Sequence, residues 1–182
     1  MANGIIRVPK PVNEPVRAYA PGSPEKASLK KKLNELLSRE IEIPLIIGGK
    51  EIRTGKTAKA VCPFDHEHVL ATYHQAGEKE VKLAIDESQE AWKSWSEMAW
   101  EDRASIFLKA ADLLAGPWRD TANAATMLNQ AKTVHQAEID SACELIDFLR
   151  YNAHYMQFIY EQQPESSAQT WNYGEYRPLE GF

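Results

Sequence analysis

Apolar residues recur every three or four positions through most of the chain after Gly77, and this spacing predicts a series of amphipathic helices. The second helix of the series is predicted from about Glu101 to Ala115, where Gly116-Pro117 ends it. Pro117 also suits the first turn of a third helix that reaches about Gln130. The longest helix is predicted from about Thr133 to Glu161. The first helix of the series begins after Gly77, and its inward positions are Val81, Ala84, Ile85, Ser88, Trp92 and Trp95.

The earlier part of the chain follows other patterns. Residues 1–22 contain four prolines and no periodicity, which predicts an extended arm. Ser23 begins a helix with Pro and Glu in its first turn, and leucines on one face continue it to about Glu40. Short β-rich runs follow, with Gly48-Gly49 at a hairpin turn. Residues 23–76 therefore predict one helix and a small antiparallel sheet.

These elements together predict an α+β chain, in which a helical layer is accompanied by small antiparallel β elements. Residues 77–163 form the helical layer, and residues 164–182 form a loop and a further strand predicted at 170–177. The helices have apolar faces that so few strands cannot cover. We therefore expect the isolated chain to be oligomeric or prone to aggregation.

Composition and charge exclude several classes of function. The chain has 182 residues, of which 43% are hydrophobic and 26% are charged, as in ordinary globular proteins. A net charge of -5 argues against a nucleic-acid partner, which needs a concentrated basic surface. No apolar run approaches the roughly 18 residues that span a bilayer, so no membrane partner is expected. Sparse cysteines and the lack of a transit-peptide pattern predict a cytoplasmic protein.

Three local patterns resemble chemical motifs but are explained better in other ways. GKEIRTGKT, from Gly49, has one residue too many for a phosphate-binding loop, and a strand follows it where that motif needs a helix. His66 and His68 lack both helical zinc spacing and a third ligand, so we expect a turn between two strands and no metal site. Cys62 and Cys143 have no activating base beside them, and we expect both to be packing residues.

Acidic residues follow one another along the longest helix. Asp140, Glu144 and Asp147 stand at i, i+4 and i+7 and fall on one line. A solvated stripe accounts for Asp140 and Asp147, and a local pair between Asp147 and Arg150 is the alternative. From the residues alone, the solvated stripe is also the favoured interpretation of Glu144. Its apolar neighbours leave burial as the alternative, which would suit it to a polar substrate or a proton.

Six stretches, in chain order, resemble the N-terminal part of the Δ1-pyrroline-5-carboxylate dehydrogenases, also called glutamate-γ-semialdehyde dehydrogenases, a branch of the aldehyde dehydrogenase superfamily. The resemblance runs from about Asn13 to Phe182. The combination of QAEID, ELIDFLRYNA and YRPLEGF is typical of this branch more than of aldehyde dehydrogenases at large. The stretches are NEPVRAYAPGSPE, IPLIIGGKEIRT, CPFDHEHVLAT, DRASIFLKAADLLAGPWR, QAKTVHQAEIDSACELIDFLRYNAHY and YRPLEGF.

The resemblance implies an enzyme that oxidises glutamate γ-semialdehyde to glutamate with NAD in proline breakdown. It also implies a small-molecule aldehyde substrate, a homo-oligomer and the α/β fold of the family. Residues 77–163 would belong to the cofactor-binding domain. Residues 164–182 would belong to the dimerisation flap and lead into the dinucleotide-binding sheet.

The family's catalytic and cofactor-binding residues lie beyond the point that matches Phe182, so none is carried onto this chain. Glu144 matches a family glutamate that lines the substrate channel, and it is the one site residue that the resemblance assigns here.

Two hypotheses of different classes follow. In the first, the chain is the N-terminal portion of such a dehydrogenase and is inactive alone. In the second, it is a non-catalytic helical interaction module that pairs with a full-length dehydrogenase. That pairing would use edge addition of the strand at 170–177.

Overall fold

The helices after Gly77 form largely as the apolar periodicity predicts. The computed structural model describes residues 4–177 and 179. Helix α3 ends before Gly116 as predicted, whereas Pro117 lies in the turn before α4 and not in its first turn. None of the described helices is both long and apolar enough to cross a membrane. The helices are α2 (Glu78–Glu97), α3 (Trp100–Ala115) and α4 (Arg119–Gln130).

Helix α1 (Pro24–Leu37) begins at the predicted cap. The side chain of Ser23 accepts a hydrogen bond from the Lys26 N–H, and proline occupies the first turn. The helix ends three residues before the predicted end, because the Ser38 hydroxyl and N–H both bond carbonyl groups of its last turn. Helix α1 packs against α4.

Five short strands form two small sheets. Gly48 and Gly49 connect β2 and β3 with φ angles of 57° and 73°, as the predicted two-residue hairpin turn requires. The other sheet has the strand order β1-β5-β4. The strands are β1 (Ile41–Ile43), β2 (Leu45–Ile47), β3 (Lys50–Ile52), β4 (Thr57–Cys62) and β5 (Asp65–His74).

The three-stranded sheet is mixed, which corrects the prediction of an antiparallel one. Strands β4 and β5 are antiparallel, but β1 pairs in parallel with β5, with Ile41 opposite Ala71. This pairing joins strands distant in sequence, so local patterns do not reveal it. The prediction that His66 and His68 lie in a turn is also wrong. Both lie in β5, because the turn occupies Pro63 and Phe64.

The longest predicted helix is present, but its backbone is not uniform. Helix α5 (Val134–Ala137), a π segment (Glu138–Cys143) and helix α6 (Glu144–Glu161) follow one another without a break. Thr133 caps the start and accepts a hydrogen bond from the Gln136 N–H. A π turn holds one more residue than an α turn, so it changes the direction of all later side chains by about 100°.

The N-terminal arm, residues 4–22, has no regular secondary structure, as predicted, and lies along the helical layer. Val8 is buried with Ala104 of α3 and Ala153 of α6. At the other end of the arm, Tyr19 is buried with residues of α1 and α4. The arm therefore contributes to two of the apolar clusters that form the core.

The strand predicted at 170–177 is not formed. Ser167 and Thr170 make a single bridge, and residues 171–177 are exposed without strand pairing. A strand needs a neighbouring strand for its backbone hydrogen bonds, and none lies beside this segment among the described residues. The predicted continuation into a further sheet falls on residues 180–182, outside the described residues.

Candidate functional site

Three side chains on one face of the long helix accept hydrogen bonds from the backbone of the N-terminal arm. We refer to Glu138, Asp147 and Gln157 as the arm-binding row. The row satisfies backbone donors of an extended segment that has no strand beside it. The bonds are Val8 N–H to Gln157 Oε1 (2.7 Å), Glu14 N–H to Asp147 Oδ1 (2.7 Å) and Arg17 N–H to Glu138 Oε1 (2.8 Å).

The π segment brings Glu138 and Gln157, the two ends of the arm-binding row, onto one line. Glu138 and Gln157 are nineteen residues apart, so a continuous α-helix, at 100° per residue, would point them about 100° apart. The additional residue of the π turn removes about that much rotation. Both side chains therefore face the arm.

Glu138 is fully buried and is surrounded by hydrogen-bond donors. Its Oε2 accepts from the Tyr19 hydroxyl at 2.8 Å and from Asn123 Nδ2 at 2.8 Å. Arg119, also buried, donates to both carboxylate oxygens through Nε and Nη2. Donors from the arm and from α4 thus replace the water that an ionised carboxylate would otherwise need.

These contacts determine the protonation states of the buried groups. Burial by itself raises the pKa of Glu138, but the surrounding donors, Arg119 first among them, outweigh burial and hold that pKa below its usual 4.5. Burial opposes the charge of Arg119, yet Glu138 and Glu14 together raise the pKa of Arg119 above its usual value. Burial and the bond to Glu138 raise the pKa of Tyr19 to about 12. At neutral pH the cluster therefore holds an ion pair and a neutral phenol.

Glu14 connects this buried pair to the middle of α6. Arg119 Nη1 donates to Glu14 Oε1, and Arg150 Nη1 donates to Glu14 Oε2 at 2.7 Å. The sequence-based alternative of a local Asp147–Arg150 pair is wrong, because Arg150 turns to the arm. The solvated position predicted for Asp147 is also wrong, because its carboxylate is occupied by the Glu14 N–H and the Asn13 side chain.

Both cysteines are buried, and Cys143 adjoins the ion pair. Its Sγ lies 3.4 Å from Arg119 Nη2 and 3.8 Å from Glu138 Oε1. Burial and the charge of Glu138 raise the pKa of the Cys143 thiol to about 11, so the reactive thiolate is scarce at neutral pH. Cys62, 1% exposed, ends β4. Both are buried packing residues, as predicted.

Glu144, the residue assigned to a substrate channel, is the first residue of α6, and its side chain is exposed. Its exposure within the described chain agrees with the solvated interpretation and not with the alternative of burial. Phe148 and Tyr155 lie on the same line of the helix, 60% and 55% exposed. Asp140 is exposed beside Lys132, as predicted for a solvated residue. Contact between Glu144 and a substrate stays a prediction.

The cluster around Glu138 is not predicted by the sequence patterns above. Arg119 and Glu138 are charged, and charged side chains are usually exposed. One signal was present in the helix itself. Glu138 precedes Ala142 and Ile146 at intervals of four, which places it on the inward face. A charged residue at an inward position predicts a buried partner.

The described residues do not form a dinucleotide-binding unit. Such a unit needs parallel strands joined through a helix whose N-terminal N–H groups face the phosphates. Strands β1 and β5 are the one parallel pair within residues 4–177, and strands rather than a helix connect them. NAD therefore does not fit the residues that the structure describes.

Comparison with known proteins gives the class to which this fold belongs. A family model described as the aldehyde dehydrogenase family matches residues 51–182. The chain belongs to the aldehyde dehydrogenase family.

Within that family the chain is similar to Δ1-pyrroline-5-carboxylate dehydrogenases. It is 48% identical over 176 residues to the mitochondrial enzyme of Dictyostelium discoideum, covering 96% of this chain and 32% of that protein. It is 46% identical over 173 residues to the human mitochondrial enzyme, covering 95% and 31%. The crystal structure of the Mycobacterium tuberculosis enzyme, bound with NAD and cobalamin, matches with a TM-score of 0.98 and 44% identity. That match covers 100% of this chain and 34% of the other.

The chain thus spans about a third of the length of these relatives. The family resemblance found in the sequence is confirmed, and so is the α+β class of the chain, as a part of the aldehyde dehydrogenase fold.

Proposed function

We propose that this chain is part of an NAD-dependent dehydrogenase that oxidises glutamate γ-semialdehyde, formed from 1-pyrroline-5-carboxylate, to glutamate in proline breakdown. The observation that carries the proposal is the match of the whole chain to the Mycobacterium tuberculosis enzyme. The names of the relatives support the substrate, and the NAD in that structure supports the cofactor. NAD would bind to residues outside those described here.

The part of the enzyme that this chain contributes is one wall of the aldehyde channel. On the open side of α6 the exposed carboxylate of Glu144 adjoins the apolar line of Phe148 and Tyr155. In this role Glu144 sets the polarity of the approach to the reacting aldehyde and takes no part in the chemical step.

The first test concerns the isolated chain. The purified 182-residue protein is mixed with NAD and glutamate γ-semialdehyde, and the absorbance of NADH is followed. We expect no turnover, because the groups that perform the chemistry lie elsewhere in the enzyme. Turnover by the isolated chain would contradict the proposed division of roles.

The second test restores those groups in a hybrid enzyme, in which this chain replaces the matching third of the Mycobacterium tuberculosis dehydrogenase. We expect the hybrid to oxidise glutamate γ-semialdehyde with NAD. Glu144→Gln should raise KM for the semialdehyde about tenfold with little change in kcat, since it removes one charged contact. Asp140→Asn, an exposed change on the same helix, is the control. A folded hybrid that oxidises other aldehydes but not glutamate γ-semialdehyde would contradict the proposed substrate.

We also propose that the enzyme is a homo-oligomer, which the resemblance to its family supports. A cytoplasmic location is a further proposal, which cell fractionation would test. The Dictyostelium and human relatives are named mitochondrial, so recovery in mitochondria would contradict it. The alternative is a non-catalytic interaction module that pairs with a full-length dehydrogenase by edge addition of residues 170–177. Residues 171–177 are exposed without strand pairing in the described chain, and co-purification with a full-length dehydrogenase would favour the module.

A further inference from the structure

We infer that the Arg119–Glu138 pair is a positioning pair, which holds the arm and the π segment together and so fixes the rotation of the helix that carries Glu144. The structural part of the inference depends only on contacts within the described residues. Its consequence for substrate rests on the proposed function.

Helix α4 contacts the π segment at its beginning, middle and end. Arg119 and Asn123 donate to Glu138, the first residue of the segment. The Ser141 Oγ lies 2.9 Å from Asn123 Oδ1, and the Sγ of Cys143, the last residue, lies 3.4 Å from Arg119 Nη2. Arg119 and Asn123 of α4 therefore hold the π segment in place along its whole length.

The arm depends on the same backbone geometry. Glu138, Asp147 and Gln157 bind three backbone N–H groups of the arm. The π turn aligns Gln157 with Glu138 and sets the rotation of Asp147 relative to Glu138. If the segment became α-helical, the residues after it would rotate by about 100° relative to Glu138. The row could then no longer bind the arm at all three points. The pair, the π segment and the arm are therefore mutually dependent.

Glu144 directly follows the π segment and is sensitive to this rotation. Cys143 is buried and Glu144 is exposed, although they are neighbours. Neighbouring side chains in a helix point about 100° apart, so a rotation of that size changes which residue faces the open side. The buried pair thus sets the direction of a residue that it does not touch.

Hydrogen exchange in the 182-residue chain tests the structural part. Glu138→Gln keeps the side chain's size but removes its charge, and Asp140→Asn is the matched control in the same segment. We expect exchange in residues 138–143 and in the arm to be faster by about tenfold or more in Glu138→Gln only. Unchanged exchange there would overturn the inference. Equal acceleration in β4 and β5 would also overturn it, because that indicates general loss of stability.

A milder variant serves if Glu138→Gln fails to fold. Tyr19→Phe removes one donor from the same carboxylate and should accelerate exchange in the same segments, by a smaller factor. Exchange that stays at the original rate in these segments would overturn the inference.

The hybrid enzyme tests the consequence for substrate. Glu138→Gln should raise KM for glutamate γ-semialdehyde about tenfold, while KM for NAD and kcat change by less than about twofold. Adding Glu144→Gln to it should have little further effect, because residues that act as a unit are not additive. Additive effects would overturn the positioning role. If the unaltered hybrid is inactive, the proposed function fails, whereas the exchange experiment still decides the structural inference.

Discussion

The Tyr19 hydroxyl donates to the Glu138 carboxylate at 2.8 Å, across 119 residues of sequence. This bond joins the N-terminal arm to the buried centre of the helical layer. Tyr19 has a φ of 50°, a left-handed conformation that costs a non-glycine residue about 1–2 kcal/mol. The residue keeps it because its ring is buried beside α1 and α4 and its hydroxyl is bound to Glu138.

The first prediction concerns that hydroxyl. Tyr19→Phe keeps the ring but takes one donor from a buried carboxylate, so we expect the free energy of unfolding to fall by about 1–3 kcal/mol. Urea denaturation followed by circular dichroism measures it. Tyr155→Phe is the control, because Tyr155 is 55% exposed and a surface change of this kind costs less than about 0.5 kcal/mol. Equal midpoints for the two variants would contradict the role given to the bond.

The second prediction concerns Arg119. Arg119→Met leaves the buried carboxylate of Glu138 without its cation, and breaking a buried pair in this way costs about 3–5 kcal/mol. The control is Arg53→Met, because Arg53 is half exposed and pairs with Glu42 and Glu51 at the surface. Surface pairs contribute about 0–1 kcal/mol, so the control should unfold nearly as the original chain does. Thermal unfolding of the original chain, Arg119→Met and Arg53→Met measures these differences. Similar losses of stability in the two variants would contradict the role given to the Arg119–Glu138 pair.

The parts of the fold that local sequence determines were predictable. Ser23 begins α1 and Gly116 follows α3 because caps and apolar spacing act within one or two turns. The π segment was not predicted, since the contacts that hold it come from α4 and from the arm, outside the helix itself. The strand at 170–177 had suitable residues but no partner strand, and strand propensity alone does not form a strand.

The third prediction is the pH dependence of stability. The pKa of Glu138 is lowered, so its contribution is present above about pH 4.5 and is lost as the pH falls through the lowered pKa. The pKa of Tyr19 is raised from 10.0 to about 12, so its contribution is present below pH 10 and is lost as the pH rises towards 12. The pKa of Cys143 is raised from 9.0 to about 11, so its contribution to stability is also lost as the pH rises.

Urea midpoints measured between about pH 3 and pH 11 test these signs. Glu138→Gln should flatten the acid side of the curve. It should also reduce the alkaline loss, because burial and Glu138 together raise the pKa of both Tyr19 and Cys143. Tyr19→Phe should reduce the alkaline loss. An acid side that is equally steep with and without Glu138 would show that other carboxylates control acid unfolding.

The fourth prediction concerns the reactivity of Cys143. A thiol pKa raised from 9.0 to about 11 lowers the thiolate fraction at neutral pH about a hundredfold. We therefore expect iodoacetamide to modify Cys143 at least about a hundred times more slowly in the native chain than in urea, with burial slowing it further. Mass spectrometry of a Cys62→Ser variant isolates the signal. Rapid modification of native Cys143 would mean that the cluster opens in solution.

The last prediction concerns the open face of α6, where Leu145, Phe148 and Phe158 are 47%, 60% and 44% exposed. Apolar side chains grouped in this way gain free energy when they are covered, so we expect the isolated chain to associate in light-scattering measurements. Leu145→Ser with Phe148→Ser should reduce association at a cost in stability of at most about 1 kcal/mol, or about 0.5 kcal/mol for each half-exposed position. Val61→Ser, on the sheet, is the control. Association that persists in the double variant would place the contact on another face, and a monomeric original chain would show that this face needs no cover.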